Sequence, residues 1–222
     1  MDKVLVGETD YAKDMNLPGI VNNITSNHFF YLKNSFLAGY SRAGRFLVCT
    51  EEDSITISDF YPSLDEPEQY KKVEHRYYLF LGCMAVKPDG NMFVHATRTG
   101  CIFEIWKYRG KNLSPYVIKG FFRPNYLSSD RDKDYPNVLP NEKDAYGISV
   151  LSCTNKYIYA EYNNIPGFSS NKIAVFDWEG EPQKLYSVNK EIYTFYVDDD
   201  TTAYGLAMND NNDIELITIP LK

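Results

Sequence analysis

Three histidines and a handful of carboxylates are the residues from which any chemistry would have to be built. His28, His75 and His95 stand far apart, and only His95, in FVHATRTG (Phe93 to Gly100), has a second interesting group nearby, Arg98. No G-x-S-x-G nucleophile motif accompanies the pair, so the two read as a strand residue and a turn residue. Glu104 and Glu161 are the carboxylates that a glycan- or peptide-cleaving enzyme would use, since that chemistry asks for inward-facing acids about 5–10 Å apart. VDDDTT (Val197 to Thr202) and NDNND (Asn209 to Asp213) cluster the hard oxygen ligands that calcium takes. Neither follows the D-x-D/N-x-D/N-G pattern with a Glu at its twelfth position, and both fall where hairpin turns are expected. Cys49, Cys83, Cys101 and Cys153 lie far apart, each within an apolar run, so they read as buried thiols and not as a C-x-x-C metal or redox site. The residues thus supply no catalytic set and no metal-ligand set, and imply no cofactor.

The elements that would position these groups are strands. Aromatics are over-represented, with 19 Tyr, 13 Phe and 2 Trp in 222 residues, and flat side chains pack well across a pleated surface. Four stretches each read as strand, tight turn, strand: FLAGYSRAGRFLVCT (Phe36 to Thr50), CMAVKPDGNMFVHAT (Cys83 to Thr97), ISVLSCTNKYIYAEY (Ile148 to Tyr162) and FYVDDDTTAYGLAM (Phe195 to Met208). Their turns, Arg42-Ala43-Gly44, Pro88-Asp89-Gly90, Thr154-Asn155 and Asp198-Asp199-Asp200, hold the Asp, Asn and Gly that hairpins need.

A further strand follows each unit, at SITISDFYP, CIFEIWKYRG, NKIAVFDWEG and DIELITIPL. The segments beginning at Ile55, Ile102, Ile173 and Ile214 are expected to occupy equivalent places, and two share an Ile-x-β-branched-x-Asp-aromatic pattern. Strands apolar on both faces belong to sheets covered on both sides. A repeat of about 45 residues built from antiparallel strands predicts an all-β chain, a β-propeller with about four clear blades plus a partial one, forming a single domain over residues 1–222. The alternative is a β-sandwich, whose turns come at similar spacing. Outer strands are expected at Ser114 to Phe122 and Pro182 to Val188. Lys3 to Glu8 is expected to supply a missing strand of the last unit, and Asp10 to Asn27 reads as a partial blade or an irregular connection.

The stretch YGISVLSCTNKYIYAEYNN, followed by SSNKIAVFDWEGEPQKLYSVNKEIYTFYVDDDTTAYGL, resembles the TolB-like six-bladed propeller-like family of uncharacterised bacterial proteins. The resemblance covers somewhat over a quarter of the chain well. It implies six blades, of which the first one or two have no counterpart here, and a bacterial source with frequent export to the cell envelope as a lipoprotein. Neither a signal segment nor a lipid-attachment cysteine is found in MDKVLVGETD. The family contributes no catalytic residue.

Function is therefore read from charge and from the one long loop. A net charge of -7 with no uninterrupted basic patch argues against nucleic acid. The longest apolar stretch, Tyr77 to Val86, is too short for a transmembrane helix. Residues 123–145 are rich in Pro, Asp, Asn and Ser, and long loops carry function disproportionately often. Arg123, Tyr126, Arg131, Asp134 and Tyr135 in that loop are the candidate ligand-binding residues. The expectation is a non-enzymatic binding or scaffold module in a bacterial cell envelope, with a protein or glycan partner. The alternative is a glycan- or peptide-acting hydrolase with carboxylates lining the funnel.

Overall fold

The computed structural model describes residues 29–32, 35–41, 44–50, 55–62, 76, 80–98, 100–109, 112–121, 147–162 and 170–222. Lys3 to Glu8, Asp10 to Asn27 and the five candidate residues of the long loop lie outside them.

Fourteen strands follow one another in antiparallel meanders. The first sheet runs in the order β1 (Phe29–Leu32), β2 (Ser35–Ser41), β3 (Gly44–Thr50), β4 (Ile55–Ser58). The second runs β5 (Gly82–Val86), β6 (Met92–Thr97), β7 (Ile102–Arg109), β8 (Asn112–Gly120). A six-stranded sheet completes the chain: β9 (Ile148–Cys153), β10 (Tyr157–Tyr162), β11 (Ser170–Asp177), β12 (Pro182–Val197), β13 (Thr202–Met208) and β14 (Ile214–Pro220).

The six-stranded sheet is two blades fused through one strand. The first part of β12 pairs with β11, from Phe176↔Pro182 to Lys172↔Ser187. Its last part pairs with β13, from Ile192↔Ala207 to Val197↔Ala203. Register shifts on both partners near Ile192 mark the change of neighbour. A bulge bends and twists a strand without ending it, so no turn is needed in SVNKEIY, where the repeat pattern alone suggests two separate strands. The first strands of successive blades, β1, β5, β9 and the end of β12, lie side by side, while the outer strands β4 and β8 adjoin. This is the all-β, blade-by-blade architecture of a β-propeller, with four blades among the described residues.

The strand periodicity has the cause that the repeat implies. On β6 and β7, Phe93, Trp106 and Tyr108 pack on Leu32, Phe46 and Val48 of the first blade. The alternate residues Val94, Ala96, Phe103 and Ile105 pack on Ile158, Ala160, Phe176 and Trp178 of the third. In turn, Tyr159, Ile173 and Val175 of the third blade meet Ile192, Phe195, Val197, Ala203 and Ile219 of the fourth. Burial of one such aromatic or branched side chain contributes about 1.5–3 kcal/mol. These two-sided cores are not the single inter-sheet core of a β-sandwich.

All four expected turns join strands that pair as hairpins. The outer strands expected at 114–122 and 182–188 are β8 and the first part of β12. One equivalence needs correcting: Ile102, Ile173 and Ile214 open or sit within the third strand of their blades, whereas Ile55 opens the fourth strand of the first. The matched pattern of Ile55 and Ile173 reflects a common demand for a pleated, half-covered surface, which third and fourth strands share.

Candidate functional site

Ionisable residues embedded in apolar runs form two buried clusters. Arg45 of β3, His95 of β6 and Glu104 of β7 meet between the first two blades, each no more than 1% exposed. β6 and β7 place His95 opposite Glu104, and the phase of Phe93 and Trp106 turns both toward the first blade. Arg45 donates from Nη1 to Glu104 Oε1 at 2.9 Å and from Nη2 to Oε2, a bidentate pair, and from Nη1 to the Phe60 carbonyl at 3.3 Å. Its guanidinium also lies over the rings of Phe46 and Phe80, 4.8 and 4.6 Å from their centroids.

The tautomer of His95 follows from its neighbours. Nε2 lies 3.1 Å from the Phe80 carbonyl, which can only accept, so Nε2 carries a proton. Nδ1 lies 3.1 Å from Arg45 Nη2 and 2.9 Å from Glu104 Oε2. Burial lowers the His95 pKa and the Arg45 charge adds to that effect, while the Glu104 carboxylate beside Nδ1 pulls the other way. Burial by itself would raise the Glu104 pKa, but Arg45 and His95 hold the carboxyl below its ordinary value. Removing one member of such a buried pair costs about 3–5 kcal/mol because it strands the other charge. Enclosed on all its members, this trio joins the first two blades.

Glu161, at the end of β10, is 1% exposed. Its Oε1 accepts the Ser170 N–H at 3.1 Å, while Oε2 is buried without a hydrogen-bond partner. Burial pushes its pKa up to about 7, against the opposing pull of the Ser170 amide and Arg98. Glu104 and Glu161 therefore belong to different blades and different clusters, and neither faces solvent. Arg98, just past the end of β6, is exposed and does not join His95.

The acidic stretches do what turn chemistry requires. Asp199 Oδ1 accepts from the Thr201 N–H and hydroxyl at 3.1 and 2.7 Å. Asn209 Oδ1 accepts from the Asn211 and Asp213 N–H groups, both at 2.9 Å. Asp200 joins blades three and four: its Oδ1 accepts from Thr154 Oγ1 at 2.6 Å and from the Tyr159 hydroxyl at 3.0 Å. The four cysteines are free thiols. Burial pushes Cys101 up to about 12 and raises the other three, which keeps them protonated.

A cavity of about 360 Å³ lies between blades two and three. Phe121, Phe176, Ile148 and Cys101 form its apolar wall, and Gln183, Lys184 and Leu185 of β12 form its rim. Phe103, Phe121 and Phe176 make one aromatic group, with centroids 4.8 Å apart for Phe103–Phe176 and 5.7 Å for Phe121–Phe176. Lys119 pairs with Glu181 at 2.9 Å across the same two blades. Among the described residues, no Asp, Glu or His lines the cavity.

The long loop is rooted here. The Phe121 N–H donates to the Cys101 carbonyl at 3.1 Å, and the Gly147 N–H donates to the Arg98 carbonyl at 2.6 Å. A Cβ on Gly147 would stand 2.4 Å from the Thr97 carbonyl oxygen, so only glycine allows this approach. Both flanks of residues 122–146 are thus pinned to the turn between β6 and β7, beside the cavity mouth. Reading for chemistry passes over Phe121 and Leu185 because each falls in an outer-strand pattern; Leu185, apolar yet 56% exposed, is the kind of residue that marks a surface for binding.

No protein-family description matches the chain. No curated protein matches it either. Among solved structures, the chain is similar to the β-propeller domain of Cps50 (Swd1) of Myceliophteria thermophila, at 12% identity and a TM-score of 0.46, over 85% of this chain and 51% of that one. It is similar to the Pan2 WD40 domain of Neurospora crassa, at 10% identity and 0.37, over 93% and 53%. A luciferin-regenerating enzyme aligns at 8% identity and 0.42, over 88% and 58%. The chain spans between about half and three-fifths of the length of these structures. The architecture stands on the strand order and inter-blade packing described above.

Proposed function

We propose that this protein is a non-enzymatic binding module whose ligand is a protein presenting an apolar or aromatic side chain to the cavity between blades two and three. The single observation that carries the reading is the composition of that cavity: aromatic and aliphatic walls, amide and ammonium groups only at the rim. Concave apolar sites with a few polar groups at the edge are the common form of a binding pocket, and walls that offer mainly apolar carbon suit a side chain better than a hydroxyl-rich sugar. The loop holding Arg123, Tyr126, Arg131, Asp134 and Tyr135 springs from the same mouth, and in this reading those residues extend recognition beyond the pocket. In this reading residues 1–222 belong to a single propeller domain, and the TolB-like resemblance of its last two blades supports a place in a bacterial cell envelope.

A panel of capped peptides bearing Phe, Trp, Leu or Ser, together with gluco-oligosaccharides, tests this by calorimetry. Peptides with Phe or Trp are expected to bind, and Leu185→Asp, which sets a charge on the rim, is expected to weaken them at least about 10-fold. Binding of the oligosaccharides instead, or cleavage of either class abolished by Glu161→Gln, would overturn the reading in favour of the hydrolase.

A further inference from the structure

The cavity between blades two and three carries positive charge at one end. Register across β11 and β12 sets Phe176 opposite Pro182, Ala174 opposite Leu185 and Lys172 opposite Ser187. The first two rows line the cavity, and alternation puts Lys172 on the same side of β11, one row or about 7 Å further along. Tyr162 of the wall lies at that end, paired with Ile148. Across the gap, in the turn from β6 to β7, stands the exposed Arg98, whose carbonyl accepts from the Gly147 N–H beside Ile148. Lys172 is half-buried, and neither it nor Arg98 makes an ion pair among the described residues. Of the remaining charges around the cavity, Lys119 is paired with Glu181, and Lys184 donates to the Tyr186 hydroxyl at 3.5 Å. Asp177 accepts from the Glu179 and Glu181 N–H groups and from Gln183, at the far hairpin, where Glu179 is exposed. Glu161, beside Tyr162, is the acid at the positive end; burial pushes it toward its protonated form, which limits its opposition to an anion there.

We propose that the protein bound here enters by its C-terminus, with its last side chain, an aromatic one, seated in the cavity and its terminal carboxylate held by Lys172 and Arg98. The inference rests on the peptide-binding reading of the cavity and adds which part of the partner is recognised. The first argument is charge complementarity. Two unpaired cations, one from each blade, stand at one end of an apolar site in a chain whose net charge is -7, so they mark a local demand for an anion. The second argument is chain geometry. Successive side chains of an extended peptide point to opposite sides, so an acid next to the seated residue is directed away from the surface. The terminal carboxylate is instead borne by the same Cα as the seated ring. Capture of a C-terminal carboxylate is a recurring mode of peptide recognition.

Calorimetry on the full chain compares four peptides that differ only at their ends: a C-terminal Phe with a free carboxylate, the same Phe as an amide, Phe followed by Asp and an amide, and a C-terminal Ser with a free carboxylate. The first is expected to bind at least about 10-fold more tightly than the second and third, and the Ser peptide not detectably. Raising NaCl from about 0.05 to about 0.5 M is expected to narrow the gap between acid and amide. Lys172→Gln and, separately, Arg98→Gln are expected to remove most of the preference for the free acid and leave the affinity of the amide as it was. Lys172→Arg keeps the charge and is expected to keep the preference, and Lys107→Gln, on β7 away from the cavity, to change nothing. Equal binding of the three Phe peptides, an Asp peptide that matches the free acid, or a preference that survives both Gln variants would overturn the inference and leave the reading of the cavity standing. Failure of every Phe peptide to bind would overturn both.

Discussion

Charged residues placed inside apolar strands set the electrostatics of this molecule. Arg45 and Glu104 are bound by a bidentate pair, although Arg45 Nε, like Glu161 Oε2, is buried without a hydrogen-bond partner. The folded pKa of Glu161, about 7, lies above the ordinary glutamate value of 4.5. The folded state therefore holds the proton more tightly, and Glu161 contributes stability that is fully present below about pH 4.5 and is lost as pH rises through about 7. Glu161→Gln keeps the shape and the acceptor for Ser170 but cannot ionise. It is expected to be more stable than wild type by about 1–3 kcal/mol at pH 8, with the difference shrinking toward zero near pH 4.5, in urea unfolding followed at both pH values. A difference that does not change with pH would show that the carboxyl is not held in this way. These burials are partly legible beforehand, since IFEIW, FVHAT and IYAEY each place one ionisable group in an apolar run. Which group pairs with which is not, because Arg45 and Glu104 are 59 positions apart.

The hairpins are the elements most plainly written in the chain. PDG, TN and DDD form turns because their side chains or φ values suit them: Gly90 adopts φ 71 and Asp200 φ 63. What local sequence does not reveal is that Asp200 also reaches the neighbouring blade, where Thr154 and Tyr159 both donate to it. Asp200→Ala loses two hydrogen bonds to a charged acceptor and leaves a β-carbon in left-handed backbone, at an expected cost of about 2–4 kcal/mol. Asp200→Asn retains an acceptor and tolerates the same φ, so about half that loss is expected from urea midpoints. Equal losses would mean that the carboxylate matters only to its own turn. The fusion of two blades through β12 was equally hidden, because a bulge leaves little trace in composition and the segment around Asn189 carries no strong turn signal.

At the scale of the molecule, the described blades pack against their neighbours in the series, so stability is close to a sum of nearest-neighbour contacts. Blade two is covered on both faces by described blades and blade four on one. Hydrogen exchange followed by mass spectrometry is expected to be slowest in β6 and β7 and fastest in β13 and β14. One common rate for all strands would indicate that the array opens only as a whole.

The order of residues alone determined the strands, their turns and the repeat, because each is encoded locally: alternation and apolar runs report which faces are covered, and Asp, Asn and Gly report where the backbone reverses. It also marked the long loop by composition. Only the tertiary structure decided that Ile55 opens a fourth strand and not a third, that Arg45, His95 and Glu104 meet, and that residues 121 and 147 are pinned beside an apolar cavity. These depend on residues tens of positions apart being brought together by the packing of one sheet on the next, which no local pattern specifies.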